Sequence, residues 1–149
     1  MTKHIYADNA ATTKMSPKVL ESMMPYLTEA YGNPSSLYST GAQAKKAVET
    51  ARAEIAECIG ADTNEIYFTS GGSESDNWAV KGVAHALYKK GKKHIITSAF
   101  EHHAVLHTVA ALEKEGFTAT YLDVHANGLV RPEDLEAAIR PDTALVSIM

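Results

Sequence analysis

The spacing of apolar residues divides the chain into a helical first third and a mixed remainder. Ser16-Pro17 reads as a helix cap followed by proline at the first helical position, and Val19, Leu20, Met23, Met24 and Leu27 then recur at helical intervals. Pro25 is expected to kink or shorten that helix. After the polar loop Tyr31-Gly32-Asn33-Pro34-Ser35-Ser36, a long amphipathic helix is predicted from about Gly41 to Ile59. Ala44, Val48, Ala51 and Ile55 face inward in that reading, and Gly60 is the stop. Cys58 falls at helical spacing with Ala51, Ile55 and Ile59 and reads as a small core residue.

From Glu65 onward the pattern alternates. Short β-like runs at 66–69, 94–97, 118–122 and 144–149 are separated by helical stretches near 75–89, 103–115 and 132–140. Gly91 and Gly116 fall near helix ends, and Asn127-Gly128 marks a turn. Strands alternating with helices predict an α/β fold built on a largely parallel sheet in α-β-α layers. In such sheets ligands bind outside the carboxyl ends of the strands. The turn after Phe68 and the segment Phe100-Glu101-His102-His103 lie at that edge and are expected to face one pocket.

Composition narrows the function classes. Hydrophobic residues at 45% and charged residues at 21% are globular values, and 149 residues can bury a core. Fourteen basic against eighteen acidic residues give a net charge of −4, and no basic block exceeds pairs such as Lys45-Lys46, so nucleic acid is a poor partner. The start lacks the apolar region of a signal peptide and no run reaches membrane-spanning length, which predicts a cytoplasmic protein without membrane contact. A single cysteine excludes an internal disulfide.

The candidate chemistry centres on Phe68-Thr69-Ser70-Gly71-Gly72-Ser73-Glu74-Ser75-Asp76-Asn77. A β-like run entering two glycines and then a helix exposes backbone N–H groups at a helix start, a natural phosphate seat. Ser70, Ser73 and Ser75 offer hydroxyls. The turn is neither a Walker P-loop nor a dinucleotide fingerprint, since Gly-Lys-Ser/Thr and the third glycine are both missing. It approaches the G-x-S-x-G elbow of serine hydrolases, with Ser75 in place of the last glycine; a plain βα turn is the other reading. Glu101-His102-His103 stands at a strand-to-helix junction, where an imidazole can stack on a planar cofactor, move a proton or simply cap the helix. His103 and His107 share a helix face, but without a third ligand no metal site is predicted. Asp8-Asn9-Ala10-Ala11-Thr12-Thr13 reads as a polar turn.

Five motifs occur in order: residues 6–13, residues 31–36, the turn at 68–77, Glu101-His102, and Leu145-Val146-Ser147-Ile148-Met149. In this the whole chain resembles the N-terminal portion of cysteine desulfurases of the NifS/IscS type, members of the class V aminotransferase family that use pyridoxal 5'-phosphate. The resemblance implies that residues 1–149 are the beginning of the large cofactor-binding domain of the fold-type I transferases. Residues 1–30 would form an N-terminal segment and helix, and residues 31–149 a helix plus βαβ units. Gly72 and Ser73 would hold the cofactor phosphate, with Ser73 standing where relatives commonly have Thr. His102 would stack on the pyridine ring and shuttle protons, and Asn9 and Asn33 would line the substrate side. Tyr38 stands where many relatives carry His.

The resemblance further implies conversion of L-cysteine to L-alanine, with sulfur held as an enzyme persulfide for iron–sulfur cluster assembly or thiolation. In the family the aspartate on the pyridine nitrogen, the Schiff-base lysine and the catalytic cysteine all fall beyond the position of Met149. The chain alone is therefore expected to be inactive, as a remnant that binds phosphate compounds or as an interaction module would be; selenocysteine lyases share the same motifs. The apolar run at 144–149 at the terminus is a pairing hazard. It predicts a domain cut in the middle, and either a homodimer or a separate C-terminal half as partner, with scaffold or sulfur-acceptor proteins for the intact enzyme.

Overall fold

The computed structural model describes residues 5–149, and the chain divides into two compact units, Met1–Tyr67 and Phe68–Met149. In the first, α1 (Pro17–Thr28) starts where Ser16 Oγ accepts the Val19 N–H at 3.2 Å. It runs through Pro25 and stops one turn later, with the N–H groups of Glu29 and Ala30 closing on the Pro25 carbonyl at 2.9 and 2.8 Å. Helix α2 (Ser39–Ile59) ends at Gly60, whose φ of 69° is the left-handed cap glycine adopts without strain. A single 3-10 turn follows at Thr63–Glu65, closed by a reciprocal Asp62–Glu65 capping box.

Two readings of this unit are corrected. Gly41, Ala44 and Ala56 are the buried residues of α2, while Ala51 and Ile55 are exposed and Val48 is half-buried. Cys58 is likewise exposed, not a core residue. Helical spacing identifies an apolar stripe but not what covers it. The stripe of α1 is similarly open, from Val19 to Leu27.

The second unit holds α3 (Gly72–Tyr88), β1 (His94–Ser98), α4 (His103–Lys114), β2 (Thr118–Leu122), α5 (Pro132–Ala138) and β3 (Thr143–Ser147). The three strands form a parallel sheet in the order β2-β1-β3. Strand β1, with a neighbour on each side, is buried along its whole length. The run at 66–69 is not a strand: Ile66 has extended dihedrals, but among the described residues the sheet has three strands and this segment is none of them. A β-rich sequence makes an extended segment, and only a ladder partner makes it a strand.

Register puts Ile95 opposite Ala119 on one side and Leu145 on the other. That face packs on Val80 and Ala84 of α3 and on Val105, Val109 and Leu112 of α4. Fully burying a residue such as Ile95 or Leu112 contributes about 1.5–3 kcal/mol relative to exposure. The chain crosses from β1 to β2 and returns from β2 to β3, so right-handed crossovers place α4 and α5 on opposite faces. The result is the predicted α-β-α layering, with α3 and α4 side by side and their N-termini at the carboxyl edge of the strands.

Candidate functional site

The helix of the glycine turn begins earlier than periodicity suggests, at Gly72, with Gly71 as its cap. The Gly71 carbonyl accepts the first helical bonds, from Glu74 N–H at 3.1 Å and Ser75 N–H at 3.2 Å. The N–H groups of Gly72 and Ser73 precede those bonds and point out of the helix start. Neither glycine is required by its own conformation: Gly71 is extended, with φ 164°, and Gly72 is helical. A Cβ built on either meets no atom within 4 Å. The turn is therefore bare on the side where a ligand would approach.

Three serines are candidates in the sequence, and the local hydrogen bonds set one apart. Ser70 gives its N–H and its hydroxyl to the same oxygen of Glu74, at 2.6 and 2.7 Å. Those two donors hold the Glu74 carboxyl below the usual carboxylate range. Ser75 Oγ lies 2.6 Å from Thr69 Oγ1 and also reaches the Gly71 carbonyl. Ser73 instead lines a cleft of about 360 Å³ between α3 and α4.

That cleft is built from the second unit. Ser73, Asn77 and Lys81 are spaced four apart along one face of α3, opposite His103 and His107 of α4 and the preceding His102. His102 caps α4, its Nδ1 accepting the Ala104 N–H at 3.1 Å. A nitrogen that accepts carries no proton, so the proton of the neutral ring is on Nε2. The rings of His103 and His107 stack at 5.1 Å and 23°. Among the described residues no group of three or more His, Cys, Asp or Glu is arranged to hold a metal.

Structure thus brings Gly72, Ser73 and His102 to one edge. Asn9 and Asn33 lie in the first unit. Asn9 is in an exposed turn in which Asp8 O accepts the Ala11 N–H at 3.2 Å. Asn33 Oδ1 accepts the Ser35 N–H at 2.9 Å, an Asx turn that leaves its amide NH₂ outward.

Sequence reasoning missed Lys81 and Asn77, although their spacing from Ser73 would have found them. It could not have found the contacts of Glu101, whose Oε1 accepts from Ser98 Oγ at 2.8 Å and from Met149 N–H at 2.6 Å.

The residues fit a planar group bearing a phosphate. Two free N–H groups and a hydroxyl meet at a helix N-terminus, the space a Cβ would fill is open, and an imidazole stands in the same cleft.

Comparison with known proteins agrees. The aminotransferase class-V family model matches residues 5–149. A cysteine desulfurase IscS of Methanosarcina thermophila is 58% identical over 147 residues, covering 99% of this chain and 36% of that protein. One from Clostridium botulinum is 56% identical over 149 residues, covering 100% and 37%. Among solved structures, a NifS-like protein superposes with a TM-score of 0.89 at 43% identity, over 95% of this chain and 38% of the other. SspA in complex with cysteine gives 0.88 at 44%, over 96% and 41%. The chain thus spans little more than a third of the length of the curated relatives it matches.

Proposed function

The chain belongs to the aminotransferase class-V family, and from that premise we propose that it supplies the phosphate seat and ring-facing histidine of a pyridoxal-phosphate cysteine desulfurase. The observation that carries this reading is the meeting of Ser73 and His102 in one cleft at the carboxyl edge of a parallel sheet. Identity of 56–58% to desulfurases over nearly the whole chain supports the substrate class.

In this reading the N–H groups of Gly72 and Ser73 and the Ser73 hydroxyl bind the phosphate, with the α3 dipole favouring its charge. His102 lies against the ring and, through Nε2, gives or takes the proton that moves when the substrate's carbon–sulfur bond breaks. Asn9 and Asn33 orient the substrate by their amides. The cofactor, when bound, acts as the electron sink for that bond cleavage. The reading extends to a cytoplasmic dimer that hands sulfur to a scaffold or acceptor protein.

The test is made on the protein that carries this chain. Titration with pyridoxal phosphate is expected to give the visible absorbance of bound cofactor, and L-cysteine to yield alanine and sulfur. Ser73→Ala is expected to weaken cofactor binding about tenfold, the scale of one hydrogen bond to a charged group. A protein that binds the cofactor equally well with and without the Ser73 hydroxyl, or that leaves L-cysteine unchanged, overturns the reading.

A further inference from the structure

The turn between β1 and α4 is tied down on both flanks. On one side the Ala99 N–H donates to the Leu122 carbonyl at the end of β2, at 2.8 Å. On the other, Glu101 Oε1 accepts from Met149 N–H, just past the end of β3, at 2.6 Å, and from Ser98 Oγ at the end of β1, at 2.8 Å. One carboxylate oxygen therefore joins the carboxyl ends of two neighbouring parallel strands. Both bonds are charge-assisted, and Glu101 is half-shielded from solvent. The next residue, His102, is the cap of α4. Its ring orientation depends on the backbone that Glu101 anchors, because the Nδ1 bond to Ala104 N–H forms only when residue 102 holds its extended dihedrals, φ −61° and ψ 147°.

We propose that Glu101 is a positioning residue that sets the His102 ring by clamping the β1–α4 turn to the segment after β3. The clamp makes the placement of His102 and of the backbone at Met149 a single structural event. A carboxylate suits this role because it accepts twice on one oxygen, and the amide of glutamine can do the same. The proposal concerns how His102 is held; it rests on the desulfurase reading only for what the ring does once held.

The experiment compares Glu101→Ala and Glu101→Gln in the protein that carries this chain, read by amide hydrogen exchange and by circular dichroism of bound pyridoxal phosphate. In Glu101→Ala the exchange of the Met149 and Ala104 amides is expected to rise about tenfold, the loss of one charge-assisted bond, while the Leu112 amide in the core stays protected. The dichroism of the bound cofactor is expected to shift with the ring of His102. Glu101→Gln, whose neutral amide oxygen accepts the same two bonds less strongly, is expected to restore both signals in part. Ser98→Ala, which removes one of the two bonds and leaves a smaller defect, is expected to move both in the same direction and serves if Glu101→Ala does not fold. Unchanged Ala104 exchange in Glu101→Ala, or a Glu101→Gln protein that behaves like Glu101→Ala, overturns the proposal. A wild-type protein that shows no cofactor signal overturns the desulfurase reading, and the exchange at Ala104 still decides the clamp.

Discussion

His94 Nδ1 lies 2.9 Å from Thr143 Oγ1, and the opposite nitrogen of the same ring lies 2.9 Å from Thr120 Oγ1. One fully buried imidazole thus joins the central strand to both neighbours. Thr143 Oγ1 also accepts the Arg140 N–H at 2.8 Å, and in the neutral ring one nitrogen accepts from a threonine hydroxyl while the other donates to one.

Burial lowers the pKa of His94, and the Arg140 guanidinium lowers it further against the opposing pull of Asp142. An unfolded histidine protonates near pH 6.5, whereas the folded ring resists until lower pH. The stability from the neutral ring is complete above about pH 6.5 and is lost as pH falls from there through the folded value. Melting temperature is therefore expected to drop between about pH 7.5 and about pH 5.5, and His94→Asn is expected to flatten that slope. Equal slopes in the two proteins would refute the assignment.

Tyr121 gives the alkaline counterpart. Its hydroxyl donates to Glu113 Oε2 at 2.9 Å, and partial burial together with that carboxylate pushes its pKa up to about 12. A raised acid pKa stabilises the fold fully below the ordinary tyrosine value near 10 and loses that contribution as pH climbs toward 12. In an ultraviolet titration the phenolate absent from Tyr121→Phe is expected to be the last to appear. Glu113→Gln should bring it earlier, and titration of Tyr121 alongside the exposed tyrosines would count against the contact.

What the sequence made legible was local. Ser16 and Pro17 announce α1, Gly60 ends α2, and the β-rich runs at 94–97 and 118–122 fall on β1 and β2. The edge shared by Ser73 and His102 follows from strand–helix order alone. The rest depends on partners distant in the chain. The run at 66–69 reads as a strand because its residues suit one, but pairing is decided elsewhere. Cys58 shares its helical face with Ile55, and that face stays exposed. Ser70 and Ser73 are indistinguishable in sequence until Glu74 occupies the first. The bond between Glu101 and Met149 spans 48 residues, beyond any motif.

Gly72 separates the needs of the fold from those of the ligand. A Cβ there meets nothing within 4 Å, and the backbone is already helical. Gly72→Ala is expected to leave stability unchanged or raise it by up to about 0.5–1 kcal/mol, since glycine in a helix costs that much relative to alanine. If Gly72 seats the phosphate as proposed, the added methyl would stand where it approaches, and pyridoxal-phosphate affinity is expected to fall. Thermal melts and cofactor titrations of the same preparation make the check: a loss of stability without a loss of affinity would show that the glycine serves the fold instead.

Gly41 is the opposite case. A Cβ there would come within 2.4 Å of the Ser36 carbonyl oxygen, 2.7 Å of Ser36 Cβ and 2.9 Å of the Asn33 carbonyl oxygen. Two of these three atoms are backbone, and the Ser36 N–H to Asn33 carbonyl bond at 3.0 Å fixes the loop between them. The loop cannot yield by turning a side chain; it must move. Gly41→Ala is therefore expected to destabilise the protein by about 1–3 kcal/mol, the cost of overpacking a tight site, and to displace Asn33 with the loop. Urea unfolding gives the first quantity. If Asn33 orients the substrate and Gly72 and Ser73 hold the cofactor phosphate, as proposed, the KM for L-cysteine rises in the folded fraction while cofactor affinity stays as it was; an unchanged KM in a destabilised Gly41→Ala protein would separate the loop from substrate binding.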